Sequence, residues 1–139
     1  MKVIALVGAE NTGKSHAINM VYSFLLRDGY VQVPGHFRTL GNPVFEDFID
    51  IIEKNGKKVG FVGMGDYVIG AGQSLKSLLD ELLSKGCDVA ICGCRNNPKI
   101  VAAVTAYPSH ILVPKTLSSG RDNDRIVNVI DAVTIVSHV

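Results

Sequence analysis

The segment Gly8-Ala9-Glu10-Asn11-Thr12-Gly13-Lys14-Ser15 constrains this chain more than any other. It follows the apolar run Val3–Val7, and it precedes a segment in which Ile18, Tyr22, Leu25 and Leu26 recur at helical spacing. A short apolar run closed by glycine reads as a strand over about residues 2–7. The periodic segment after Gly13, ending at Asp28-Gly29, reads as a helix over about 14–27. The order is therefore strand, glycine-bounded loop, helix. Average residue usage yields the pattern G-x-x-x-x-G-K-[ST] in roughly one chain in a hundred of this length, and the two flanks make coincidence rarer.

Each residue of the loop has a physical task. Glycines at 8 and 13 open backbone conformations closed to residues with a Cβ, so that successive N–H groups converge on an anion. The helix that follows adds its unsatisfied N–H groups and the positive end of its dipole. On these residues the chain resembles the P-loop (Walker A) NTPase superfamily, with the motif confined to residues 3–15 and the rest of the chain similar only as an α/β pattern. The resemblance implies a nucleoside triphosphate cradled by Gly8, Ala9, Glu10, Asn11, Thr12, Gly13, Lys14 and Ser15. Lys14 would reach the β- and γ-phosphates, and the Ser15 hydroxyl would ligate Mg²⁺. No guanine-specifying N-K-x-D motif is present, which favours ATP. The competing reading is a glycine-rich turn with a surface lysine.

At 139 residues the chain is expected to form one domain, residues 1–139, with a substantial core. Hydrophobic residues make up 47% and charged residues 19%, which suits a compact α/β domain rather than disorder. A net charge of +1 supplies no basic field for nucleic acid. No apolar run reaches membrane-spanning length, and the first residues lead into a strand rather than a signal peptide. Three cysteines, an odd number without a ladder of spacings, point to reduced thiols in a cytoplasmic protein.

Further along, Tyr30–Val33 reads as a short strand, and residues 34–44, with two prolines and two glycines, read as a loop. Residues 46–62 allow either a helix face or an antiparallel hairpin across Asn55-Gly56, and the Asn-Gly pair between apolar runs favours the hairpin. Residues 73–85 predict a helix with Leu75, Leu78, Leu79, Leu82 and Leu83 inward. Asp88–Cys92 predicts a strand buried on both faces. A helix from Pro98 to near Tyr107 and a strand over His110–Val113 follow. The last segment, 124–136, is expected to turn Ile126, Val127, Ile130 and Val133 to the core as a helix, although its β-branched content leaves a strand open. Strands alternating with helices predict an open, mostly parallel sheet flanked by helices, with the hairpin as its antiparallel part.

Ligands of such sheets gather beyond the carboxyl ends of the strands, so the residues after each apolar run are the ones to question. Asp66, four residues past Val62, is the expected second acid near Mg²⁺; a turn aspartate beside two glycines is the alternative. The run at 88–92 ends in Gly93-Cys94-Arg95 with no acid. Arg95 could offer bidentate donors to a phosphate, or form a surface ion pair. Glu10 could activate a nucleophile or face solvent. Lys115, Arg121 and Arg125 read as a solvated charged loop, with at most one of them steadying a transferred phosphoryl group. Neither the cysteines nor His16, His36, His110 and His138 show metal-ligand spacing.

Two functions fit. One is an ATPase or small-molecule kinase with Lys14, Ser15, Asp66 and Arg95 as its working set, in which loop 34–44, carrying His36 and Arg38, offers the acceptor pocket. The other is a nucleotide-binding regulatory or interaction module with little turnover. The nearly uncharged segment from Ala132 to Val139 could pack against another subunit or complete the core.

Overall fold

Turn residues cut the chain into elements close to those its periodicity predicts. The computed structural model describes residues 1–9, 12–41, 47–63, 74–118 and 121–139, the side chains of 121 and 122 apart. In chain order the elements are β1 (Lys2–Gly8), α1 (Lys14–Arg27), β2 (Val31–Gln32), β3 (Arg38–Thr39), β4 (Phe48–Lys54), β5 (Lys57–Val62), α2 (Leu75–Ser84), β6 (Val89–Arg95), α3 (Pro98–Thr105), β7 (His110–Pro114) and α4 (Arg121–His138). The hairpin reading holds: Asn55 and Gly56 both take positive φ, 52° and 82°, as a two-residue turn matched to strand twist requires. Residues 34–41 are not wholly loop, because Arg38 and Thr39 pair with Ile49 and Phe48.

The fold is α/β, with a mixed sheet in the order β2-β4-β5-β6-β1-β7 and β3 also pairing with β4. The four central and right-hand strands β5, β6, β1 and β7 run parallel, and β4 joins them antiparallel. Right-handed crossovers decide where the helices lie. The connections from β5 to β6 and from β6 to β7 advance in one direction, so α2 and α3 share a face, packed with Val3, Ala5, Ile49, Ile51 and Ala90. The connection from β1 runs the opposite way, so α1 takes the other face, where it packs with α4 over Ile4, Leu6, Phe61 and Ile91. Connections leaving β1 and β6 in opposite directions open a crevice between the carboxyl ends of those two strands.

Packing corrects three expectations about helix faces. Leu26 is exposed rather than inward, and α1 buries Ala17, Ile18, Val21 and Leu25 instead. On α2, Leu75, Leu78, Leu79 and Leu82 are buried while Leu83 is 48% exposed. On α4 the expected core residues Ile126, Ile130 and Val133 face out, and Asn128, Asp131, Ala132 and Ile135 face in. The cause on α4 is polar: buried Asp131 pairs with Lys115 and Thr116 in the loop after β7 and sets the helix's rotation, and hydropathy alone gives no sign of this. Strand β6 also runs three residues further than predicted, through Arg95, because Gly93, Cys94 and Arg95 continue the ladder with Leu6, Val7 and Gly8.

No helix among the described residues is long and apolar enough to cross a membrane. The α2 assignment predicts a sharp contrast. Leu79→Ala should lower the free energy of unfolding by about 2–5 kcal/mol, whereas Leu83→Ala should change it by less than ~0.5 kcal/mol, both read by urea denaturation.

Candidate functional site

The crevice beside β1 is built from the residues that end its strands. Gly8 closes β1 in register with Arg95 at the end of β6. The Gly8 carbonyl accepts from the Asn96 N–H at 3.1 Å. Gly13 caps α1 in the left-handed region, φ 91° and ψ 18°, a conformation that disfavours any side chain. No side chain caps α1, and its first turn carries no acidic residue. The helix thus presents the positive end of its dipole without a carboxylate of its own.

Lys14, the first residue of α1, is only 4% exposed, and its Nζ donates to the Ala9 carbonyl at 2.7 Å. Thr12 Oγ1 donates to the same carbonyl at 2.7 Å. The Ala9 carbonyl thus joins Thr12 and Lys14.

Ser15 meets an acid that the sequence reading did not single out. Its Oγ donates to Asp47 Oδ1 at 2.9 Å, and the Gly63 carbonyl lies 3.5 Å from the same hydroxyl. Asp47 is 4% exposed. It immediately precedes β4, and because β4 is antiparallel to β5, its amino end lies with the carboxyl ends of the parallel strands. Questioning only the residues after each apolar run passes over such a position. The signal was present all the same: an acid directly before the first strand of an Asn-Gly hairpin. The expected acid, Asp66, lies outside the described residues, as do Glu10 and Asn11. Three oxygens of the right kind for a hard divalent cation, a hydroxyl, a carboxylate and a carbonyl, converge here. Among the described residues no group of three or more His, Cys, Asp and Glu is placed to hold a metal ion.

The far wall of the loop comes from α4 and the residues after β7. The Lys115 N–H donates to the Val7 carbonyl at 2.7 Å, continuing the ladder past Pro114. A Cβ on Gly8 would fall 2.7 Å from Lys115 Cβ, so the glycine is required by this approach. Lys115 is not part of a solvated loop, as its sequence suggested. Its ammonium is buried and lies 2.8 Å from Asp131 Oδ2 on α4. The same carboxylate accepts from the Thr116 N–H at 3.0 Å and from its hydroxyl at 2.6 Å. One turn earlier on α4, Asn128 closes on Gly13: its Oδ1 would stand 2.9 Å from a Cβ there and has no hydrogen-bond partner. Arg125 is exposed on α4, and the Arg121 side chain lies outside the described residues.

Other expected participants are placed elsewhere. Arg95 is half-buried at the crevice, level with Gly8. Arg38 forks onto Glu81 of α2 at 2.8 and 2.7 Å. With Lys85, and against the opposing effect of burial, it holds that carboxyl down at about 2. Arg38 thus ties β3 to α2. His36 belongs to the four-residue stretch 34–37 that bulges opposite Asp50, and its Nδ1 is buried without a partner. Cys92 is fully buried and burial raises its thiol pKa, as for a small hydrophobe. Comparison with protein-family models, with curated proteins and with solved structures found no match.

The buried cluster predicts a non-additive pair. Asp131→Ala leaves the Lys115 ammonium buried and unpaired, and should cost about 3–5 kcal/mol of stability. Lys115→Met combined with Asp131→Leu should recover most of that loss, measured by thermal and denaturant unfolding of the single and double variants.

Proposed function

We propose that the chain binds a nucleoside triphosphate, ATP by preference, together with Mg²⁺ in the loop at residues 8–15, and works as an NTPase or kinase-like phosphotransferase of the P-loop kind. The observation that carries this reading is the Ser15–Asp47 hydrogen bond, 2.9 Å long, next to the buried Lys14 at an uncapped helix start. A hydroxyl held by a buried acid beside a helix N-terminus fits the need of a metal–phosphate site. The acid missing from the end of β6 is then supplied by Asp47.

In this reading the N–H groups at the start of α1 and the Lys14 ammonium hold the phosphate chain, Lys14 leaving the Ala9 carbonyl for a phosphate oxygen. Ser15 Oγ and Asp47 would hold the Mg²⁺, which supplies charge neutralisation across the phosphate oxygens. Asp47 is a further acid for the metal besides the expected Asp66, which lies outside the described residues. Arg95, level with Gly8 at the crevice, would steady charge that develops on the transferred phosphoryl group. Three buried, unbridged thiols suit a reducing, cytoplasmic setting.

Calorimetric titration of ATP–Mg²⁺, paired with a phosphate-release assay, tests the reading. Wild type should bind. Lys14→Ala should weaken binding by about 10- to 100-fold, the worth of one charge-assisted contact. Asp47→Asn should leave metal-free nucleotide binding in place and abolish its enhancement by Mg²⁺. A wild-type protein that binds no nucleoside triphosphate sinks the proposal, and binding without phosphate release removes the NTPase part alone.

A further inference from the structure

Among the described residues, no element covers the outward face of α4. Ile126, Val129, Ile130 and Val133 are 58%, 40%, 51% and 56% exposed. Their spacing puts them on one stripe of the helix, opposite the buried Asn128, Asp131, Ala132 and Ile135. Single exposed apolar side chains are ordinary, but four large ones in one stripe are not. From Ile126 to Val136 the one charged residue is Asp131, and it is turned inward against Lys115. The stripe therefore has no charge that would keep it in water.

We propose that this stripe is a homodimer interface, on which a second copy of the chain lays its own α4 antiparallel about a two-fold axis passing between Val129 and Ile130. The order Ile126, Val129, Ile130, Val133 is self-complementary under that rotation. Ile126 comes opposite a valine and Val129 opposite an isoleucine, so equal volumes meet at both ends, as an isologous contact requires. Antiparallel helices also set opposite dipole ends side by side. All four side chains are β-branched and stiff, so ordering them at an interface costs little rotamer entropy.

The area suits a modest dimer. At these exposures the four side chains offer on the order of 400 Å² of apolar surface, within the range of functional patches. Homodimer interfaces are about two-thirds apolar, so the stripe implies roughly 600 Å² per copy, the lower end for specific association. The inner face of the same helix holds Gly13 and, through Lys115, Gly8. Dimerisation would thus order the helix that braces the loop, from the side away from it. The proposal stands on the outer face of α4 and is independent of nucleotide binding.

Sedimentation velocity on the nucleotide-free chain decides it. At roughly 100 µM, wild type should sediment at twice the 14.9 kDa chain mass and dissociate on dilution towards about 1 µM, as a micromolar dimer does. Ile130→Asp should raise the dissociation constant about 100-fold or more with an unchanged far-ultraviolet circular dichroism spectrum, since a charge would be buried at the centre of the contact. Val129→Cys keeps the stripe apolar and should give a reducible cross-linked dimer under mild oxidation, because the native thiols at 87, 92 and 94 are buried. A monomeric wild type at 100 µM, a folded Ile130→Asp that stays dimeric, or a Val129→Cys chain that forms no cross-link would each overturn the proposal.

Discussion

The buried contact of Asp131 with Lys115 and Thr116 is the constraint on which the rest of the site depends. A carboxylate and an ammonium removed from water are stable only if each satisfies the other and the spare lone pairs find donors. Here both oxygens of Asp131 are engaged, one by Thr116 Oγ1 and the other by the Lys115 ammonium and the Thr116 N–H. That arrangement fixes the rotation of α4, carries Asn128 onto Gly13, and brings the Lys115 stem against Gly8. Both glycines that bound the loop are thereby held from one side. It also turns the apolar residues of α4 outward, because the polar pair takes the inward positions their hydropathy would otherwise claim.

The opposite wall depends on a different device. An antiparallel hairpin at the edge of a parallel sheet reverses the sense of one strand, so that the amino end of β4 arrives where the other strands have their carboxyl ends. Asp47 reaches Ser15 by that reversal. Tyr22 and Asp50, seven residues on along α1 and three along β4, make a second rung between the same two elements, Tyr22 Oη donating to Asp50 Oδ2 at 2.6 Å. Against these rungs Tyr22 packs edge-on to Phe48 and Phe61, which keeps α1 in place over the hairpin. The start of α1 is thus set from two sides, by the hairpin and by α4.

Much of the fold was legible because its signals are local. The Asn-Gly turn, the glycine stop after α1, the proline at the start of α3 and the buried run of β6 each follow from a few adjacent residues. Helix faces were less legible where a helix contacts polar partners. Leu83 sits next to Leu82 and differs from it only in facing away from the sheet. The extension of β6 through Arg95 follows from pairing with β1, since nothing local in Gly93-Cys94-Arg95 favours a strand. In the candidate site, the glycine-bounded loop was read from its own residues, while Asp47 was missed because its place beside Ser15 comes from strand direction.

What the amino-acid sequence by itself determined is the strand, glycine-bounded loop and helix at residues 2–27, the hairpin, and the alternation that makes an α/β sheet. These rest on backbone conformation and short-range periodicity, which adjacent residues set. Tertiary structure alone decided which acid stands beside Ser15, that Lys115 is buried rather than solvated, and which face of α4 meets solvent. Each of those depends on side chains brought together from distant parts of the chain, where desolvation and pairing outweigh local preference.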